Sequence, residues 1–458
     1  MPAPGQTQAD HTPPRFAIVA GICALLLLGM VFGASLWIIV AIAAALLIGL
    51  NAWLTRTWSA AAIASREGHD CEVKIGSRVP VTITIANRSQ VPILWLLVED
   101  LLPRWATLHE PPALEVDGDR VSVFLIWSRD SKRMEYSVRC NRRGYFQIGP
   151  TVLETGDVMG LYRRYRVGTE PQYVTVLPDV VPLTSYEIGS KRPIGEIRMR
   201  ENVMDDPTRL RGIRQWQPGD PMRSVHWAAT ARTGSLHSKV YEPSSIVGAT
   251  LVLDLHESTT PMKHEPARSD LAVTAAASIA ASLHECNEPV GLATNGRDAA
   301  DRIRQEGWKG DHRIRGEARA SASMRDKNER LRPVLVAPGR GPVQLAEINR
   351  SLARLERTDG LTLTELLVEC ESQLSAETTL LVILQQCTSE SIAALIGLAR
   401  RGRAVAVMIN THDINDYSAI AGPLIAARIP TFHLSSRESV AEVCRQTLLR
   451  YTQDCCDK

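Results

Sequence analysis

The chain lacks an excess of either charge. Its 458 residues carry 52 Lys and Arg against 50 Asp and Glu, a formal net charge of +2. That near balance removes any global electrostatic argument for nucleic acid or for a strongly acidic partner. No C-x-x-C pair occurs among the nine cysteines, which are odd in number and scattered from Cys23 to Cys456. The pattern argues against a disulfide framework and a zinc ribbon and fits a reducing compartment. No G-x-x-x-x-G-K-[ST] run is present, so a P-loop nucleotide site has no support. No G-x-G-x-x-G follows a strand. H-E-x-x-H is absent, although His-Glu pairs begin at 109, 256, 264 and 284. No serine or cysteine stands in a recognisable triad context, and no catalytic residue is assigned. Tandem repeats are missing as well.

Long apolar runs are present, at the amino end. Residues 1–15 are polar and Pro-rich and read as a disordered tail. Phe16–Gly33 and Ser35–Leu54 follow without a single charge. Spanning a bilayer takes about 20 apolar residues. Residues 16–54 are therefore expected to form two transmembrane helices with a tight turn at Gly33–Ser35. A signal peptide is the rival reading, but the second run would remain in the membrane. Arg15 precedes the pair and Arg56 and Arg66 follow it, so the positive-inside rule places both flanks in the cytoplasm. The expectation is a multi-pass inner-membrane protein whose partner is the lipid bilayer, with both termini and the main domains cytoplasmic.

Residues 68–180 read as a β-sandwich. Val79–Ala86 alternates apolar and polar, Asn87-Arg-Ser-Gln90 is a turn, and Val91–Val98, Val121–Trp127, Met134–Cys140, Tyr145–Ile148 and Val174–Val180 supply further strands. Gly156–Leu161 is expected to be a turn closing the sandwich.

Residues 181–245 form a charged junction. Within it lie Arg211, Arg214, Trp216, Asp220, Arg223, His226, Trp227, Arg232 and Lys239, with Gly212, Gly219 and Gly234 at turns. A solvated face has no need for two tryptophans among such clusters. Arginines pair bidentately with carboxylates or phosphates. The leading expectation is an interdomain latch, followed by a partner-binding surface and then a catalytic or phosphate-binding centre. Val225–Arg232 is expected to be a short helix ended by Thr233-Gly234, with a strand at Leu236–Tyr241.

From 246 to 458, strands such as Ala249–Leu255, Pro289–Thr294, Leu331–Ala337, Thr378–Leu384 and Ala404–Ile409 alternate with helices such as Arg268–Glu285, Pro342–Leu355, Glu390–Arg401 and Ser436–Tyr451. That alternation predicts a doubly wound, mostly parallel sheet. Ligands in such sheets sit beyond the carboxyl ends of the strands, where Asp254 lies. Residues 296–332 carry dense mixed charge and few aliphatics and read as a mobile, solvated insertion. The fold class is a membrane-anchored multidomain α+β protein.

The run RLRGIRQWQPGDPMRSVHWAATARTGSLHSKVYEP resembles the signature of the bacterial family of unknown function numbered fifty-eight, as do RRGYFQIGP at 142–150 and GDVMGLYRR at 156–164. The resemblance implies a β-sandwich leader and a von Willebrand factor A-like domain after the motif. It also implies a protein partner, a MoxR-type AAA+ ATPase, since members are often encoded beside one. The A-like metal motif is Asp-x-Ser-x-Ser. Here it reads Asp254-Leu-His256-Glu-Ser258, so Asp254 and Ser258 match and His256 departs. Magnesium or manganese prefers oxygen ligands, which makes the motif degenerate. The leading expectation is a non-enzymatic adaptor or scaffold in cell-envelope or complex-assembly processes. The alternatives are a metal-dependent hydrolase centred on Asp254 and a purely structural membrane scaffold.

Overall fold

The computed structural model describes residues 15–31, 35–108, 111–157, 162–182, 205–217, 225–243, 248–306, 331–374 and 378–442. The chain forms two compact units, Met1–Val176 with Ala300–Lys327, and Leu177–Ala299 with Asn328–Lys458.

The first unit opens with two apolar helices, α1 (Arg15–Val31) and α2 (Ser35–Ala61). Within α2, Leu36–Ala61 is long and apolar enough to cross a membrane. The shorter α1 lies against it. A Cβ at Gly29 would fall 2.8 Å from Ile38 Cγ1, so the absence of a side chain there permits the close approach.

The helix α2 runs without a break into strand β1 (Ala62–Glu67). That strand begins earlier than the expected sandwich boundary, because Ala-Ile-Ala-Ser-Arg-Glu shows no clear alternation. Trp58, in the last turn of α2, is buried in the core of the strands that follow. Arg166 Nη1 donates to the carbonyls of Ser59 (3.4 Å), Ala60 (3.1 Å) and Ala62 (3.4 Å). A cation on the free carbonyls of a helix end complements both their lone pairs and the helix dipole.

Ten more strands and a short helix, α3 (Arg104–Leu108), follow in this unit: β2 (Cys71–Lys74), β3 (Arg78–Asn87), β4 (Ile93–Asp100), β5 (Leu114–Asp117), β6 (Val121–Ile126), β7 (Ser131–Cys140), β8 (Gly144–Ile148), β9 (Thr151–Gly156), β10 (Arg163–Val167) and β11 (Gln172–Leu177). They make sheets of order β1-β3-β7-β5, β10-β9-β4-β6 and β2-β11-β8. Val81, Ile83 and Ile85 of β3 and Met134, Tyr136 and Val138 of β7 alternate into one core, as period-two patterning requires. Between β9 and β10, Asp157 takes the Tyr162 amide on Oδ1 at 2.6 Å and donates its own amide to the Tyr162 carbonyl. Residues 158–161 of the expected closing turn lie outside the described residues.

A polar knot sits inside this core. Asp100 is fully buried and accepts from the Arg66 guanidinium, the Tyr136 hydroxyl and Thr151 Oγ1. Thr169 Oγ1 in turn donates to Thr151 Oγ1 at 2.9 Å. Burial first, and the neighbouring Asp100 charge second, push the Tyr136 hydroxyl far above the usual phenol range.

The second unit holds a two-stranded ribbon and an α/β sheet. The ribbon pairs β12 (Asp205–Gln215) with β13 (His237–Pro243) antiparallel, with irregular register around Leu210. Strand β12 falls within the stretch expected to be a charged junction. Its Pro207 and charges hide a strand whose pairing comes from β13. The larger sheet contains β14 (Ala249–Leu253), β15 (Val290–Thr294), β17 (Val334–Gly339), β19 (Thr379–Leu384), β20 (Val405–Ile409) and β21 (Thr431–His433). Its order is β17-β15-β14-β19-β20-β21, with only β17 antiparallel. Both faces of the sheet are buried, so successive residues along each strand serve different cores. Leu251, Leu253, Leu381 and Ile383 meet the helix α5 (Ala267–Glu285) on one side. Val252, Leu380, Val382 and Val407 join a core on the other side with Leu366, Leu395 and Leu424.

The expected insertion at 296–332 opens as ordered structure. Arg297–Asp298 (β16) pairs with Leu355–Glu356 (β18), and Ala299–Glu306 is a helix, α6. Ala299 and Ile303 are buried and give that helix an apolar anchor. Residues 307–330 lie outside the described residues, as does the end of the helix expected at Ser436–Tyr451.

Candidate functional site

Two parts of the second unit carry the sequence-predicted residues. The first is the ribbon. The helix α4 (Trp227–Thr233) is inserted between its strands. His226 is the N-cap of that helix: its backbone is extended and its Nδ1 accepts from the Ala229 amide at 3.0 Å. At the other end Gly234 adopts φ 71°, and its amide returns to the Thr230 carbonyl at 3.0 Å. A left-handed residue of this kind is the common way to stop a helix, and glycine takes it without strain. The helix is tied to the ribbon by His226 N to His237 O (2.8 Å) and by His237 N to Thr230 Oγ1 (3.1 Å). Replacing His226 by alanine should cost about 1 kcal/mol, the usual loss of an N-cap, whereas asparagine should retain most of it. Thermal unfolding of the three proteins checks this, and equal midpoints would dismiss the cap.

Side chains around this helix face outward. Trp227 is 64% exposed, and Ile213 and Leu236 are exposed beside the strand ends. Arg214 and Arg232 are exposed, and Lys239 is half-buried. Trp216 is half-buried, with its amide on the Leu236 carbonyl at 2.8 Å. Asp220 and Arg223 lie outside the described residues. Arg211 belongs to β12.

The second part is the carboxyl edge of the six-stranded sheet. Asp254 directly follows β14 and is buried. Its Oδ1 accepts from Asn295 Nδ2 (2.7 Å) and the His256 amide (3.2 Å), and its Oδ2 from Thr259 Oγ1 (2.7 Å). Burial raises the Asp254 pKa, and the donors from Asn295, Thr259 and His256 oppose that rise. Ser258, expected to share a metal with Asp254, instead places Oγ 2.7 Å from His256 Nδ1. The hydroxyl that meets Asp254 is that of Thr259, because the His256 ring captures Ser258. Among the described residues no group of three or more His, Cys, Asp and Glu is placed to hold a metal ion. Asp254 and Ser258 are thus not turned toward one common point. Both Asp254 oxygens face hydrogen-bond donors, and Ser258 points elsewhere.

Residues at neighbouring strand ends complete this edge. Gln385 Nε2 donates to Glu265 Oε1 at 2.9 Å. Arg268 Nη1 donates to Asn410 Oδ1 at 2.9 Å, and Asn410 Nδ2 returns to the Arg268 carbonyl at 2.8 Å. Sequence reasoning passed over Asn295, Arg268, Gln385 and Asn410. For Asn295, Gln385 and Asn410 the available signal was a polar residue immediately after an apolar strand, whereas Arg268, on a helix, carried no such signal.

These features define a mixed α+β multidomain protein with one helix long and apolar enough to cross a membrane. A family model described as Protein of unknown function DUF58 matches residues 212–320, from the ribbon through Asp254 and Arg268 into the insertion. The chain is 24% identical over 237 residues to the Uncharacterized protein YeaD of Bacillus subtilis (strain 168). That match covers 51% of this chain and 56% of the relative, so the chain spans little more than half of that protein's length. Among solved structures, the ASH / PapD-like domain of human CEP192 is 8% identical, with 25% of this chain and 84% of that chain covered and a TM-score of 0.18. A CARDB domain from Pyrococcus furiosus, solved with di-metal ions, is 10% identical, with 25% and 87% covered and a TM-score of 0.18.

Proposed function

We propose that this protein is a membrane-anchored, non-enzymatic adaptor that receives a protein partner, a MoxR-type AAA+ ATPase, through the ribbon and its helix α4. The observation that carries the reading is the exposure of both Trp227 and Arg232 on α4, with Ile213 and Leu236 also exposed on the same supersecondary unit. Tryptophan and arginine are the residues most enriched among the energetic anchors of protein interfaces. The short helix is capped at both ends and tied to two strands, so it presents them without a large ordering cost. On this reading the α/β sheet is a von Willebrand A-like domain. Its doubly wound order with one antiparallel edge strand supports that. The two apolar helices act as a membrane hairpin with the folded mass on the cytoplasmic side.

Affinity capture from membranes tests the partner. Wild-type protein should retain an AAA+ ATPase, and Trp227→Ala should lower its recovery at least about tenfold, the loss of a typical hot-spot residue. Repeated capture without any AAA+ protein would sink the proposal. A reporter fused at the carboxyl end should be active only as a cytoplasmic reporter, and a periplasmic signal would overturn the topology.

A further inference from the structure

The carboxyl edge of the six-stranded sheet buries a cation that no carboxylate among the described residues answers. Arg268 is 3% exposed. Its Nη1 donates to two neutral oxygens, Asn410 Oδ1 at 2.9 Å and the Leu434 carbonyl at 3.2 Å. Its Nη2 is buried and has no hydrogen-bond partner. Burial is what depresses the Arg268 pKa. A buried charge is ordinarily paired, because desolvation without a partner is costly.

The position of Arg268 in the chain makes the missing anion more conspicuous. It lies in the first turn of the 19-residue helix α5. That end of a helix carries partial positive charge and unpaired amides, where a cation is disfavoured and an anion is favoured. Pro266 occupies the N-cap and supplies no side-chain acceptor. Ser269, in the same turn, also has a buried hydroxyl without a partner. Two imidazoles stand nearby. The rings of His264 and His412 meet edge to face with centroids 6.1 Å apart. The His412 pKa is lowered by burial first, then by the positive neighbours Arg268 and His264. His412 is exposed and His264 half-buried, so the cluster reaches the surface at the histidines. Three acids lie close in sequence: Glu265 Oε1 accepts from Gln385, Asp413 Oδ1 accepts from the Asn415 amide at 2.8 Å, and Asp270, in the same first turn of α5, has an interaction of its own. The other histidine of this edge, His433, uses Nε2 on the Thr411 carbonyl at 2.8 Å.

We propose that Arg268, the amino end of α5, His264 and His412 form a binding site for a phosphate-class oxyanion, either free inorganic phosphate or the phosphoryl group of a small molecule. A guanidinium, helix amides and imidazoles together offer more donors than a single carboxylate takes up, and a tetrahedral oxyanion matches them. The position beyond the strand ends of a doubly wound sheet is where such folds hold ligands. The assignment is independent of the adaptor reading, whose contact surface is the ribbon.

Thermal unfolding of the full chain in detergent micelles tests it. Inorganic phosphate is titrated to about 20 mM against chloride at constant ionic strength; specific binding raises the midpoint by mass action. The wild type should show a saturable rise that chloride does not produce. Arg268→Gln should weaken phosphate at least about thirtyfold, as loss of a charge-assisted contact implies. His412→Ala, at an exposed position, should weaken it about threefold. Sulfate keeps its double charge across the range used, and wild type should bind it more tightly at about pH 5.5 than at about pH 8, a difference that His412→Ala reduces. Glycerol 3-phosphate binding more tightly than phosphate assigns the site to a phosphoryl group on a carrier, and equal binding assigns it to the free ion. The absence of any phosphate or sulfate effect on the wild type would overturn the site. So would effects that persist unchanged in His412→Ala and in Arg268→Gln, or in Arg268→Met should the glutamine variant fail to fold.

Discussion

Replacing Asp100 by alanine should cost the β-rich unit about 3–5 kcal/mol, the usual penalty for stranding one member of a buried ion pair. The Arg66 side chain is 5% exposed and Asp100 is fully buried, so solvent screening offers little relief. The Tyr136 hydroxyl and Thr151 Oγ1 would lose their acceptor in the same step. A domain is stable by about 5–15 kcal/mol, so the variant should sit near the edge of folding. Urea unfolding of the purified chain, followed by the fluorescence of buried Trp58 and half-buried Trp105, measures the loss. Tyr136→Phe should cost only about 1–2 kcal/mol, since one donor is removed and the charge pair stays. The double replacement Arg66→Met with Asp100→Leu should recover most of the loss, because no charge is left unanswered. An Asp100→Ala protein as stable as wild type would discard the network as a stabilising feature. The network also carries a pH signature. The Tyr136 pKa is raised in the folded state, so its contribution is present below the unfolded tyrosine value of about 10 and is lost as pH climbs beyond it. Tyr136→Phe should abolish that alkaline decline.

The second large effect is expected at Asp254. Alanine there removes the acceptor for Asn295 Nδ2, Thr259 Oγ1 and the His256 amide at once. Buried donors left without partners cost about 1–3 kcal/mol each in the unrelaxed limit. A net loss of about 2–4 kcal/mol is expected after the loop at 255–260 relaxes and water enters. Asp254→Asn keeps one carbonyl acceptor and should lose roughly half as much. Hydrogen exchange localises the consequence: protection should fall at Asn295 and across 255–260 while β19 and β20 remain protected. Unchanged exchange in Asp254→Ala would mean that the loop is held by something else.

Both residues show what a single sequence displays and what it hides. The strands of the α/β sheet were legible because Val405–Ile409 is apolar at every position and Ala249–Leu253 at all but Thr250, the mark of a sheet covered on both faces. The alternation in Arg78–Asn87 was equally plain. Strand β12 was not, since a ribbon edge tolerates Pro207 and many charges and takes its pairing from a partner strand far along the chain. The polar knot was beyond reach for the same reason. Arg66, Asp100, Tyr136 and Thr151 each look like ordinary strand residues, and only the register of four strands brings them together. Arg268 and Asn410 stand 142 residues apart and meet only because β14 and β20 end on one edge. His226 shows the converse. Its neighbours marked it for recognition chemistry, yet its ring is occupied in closing a helix.

The union of α2 with β1 has a mechanical meaning. Helix and strand adjoin at Ala61 and Ala62, Trp58 is sunk in the core beyond, and Arg166 clasps the final carbonyls. Such a joint has no swivel. A tilt or a turn of the helix about its axis is handed whole to the strands, and a push on the strands returns to the helix. The β-rich unit therefore does not tumble on a leash; it behaves as the head of a rigid shaft, and its heading is set wherever the shaft is fixed.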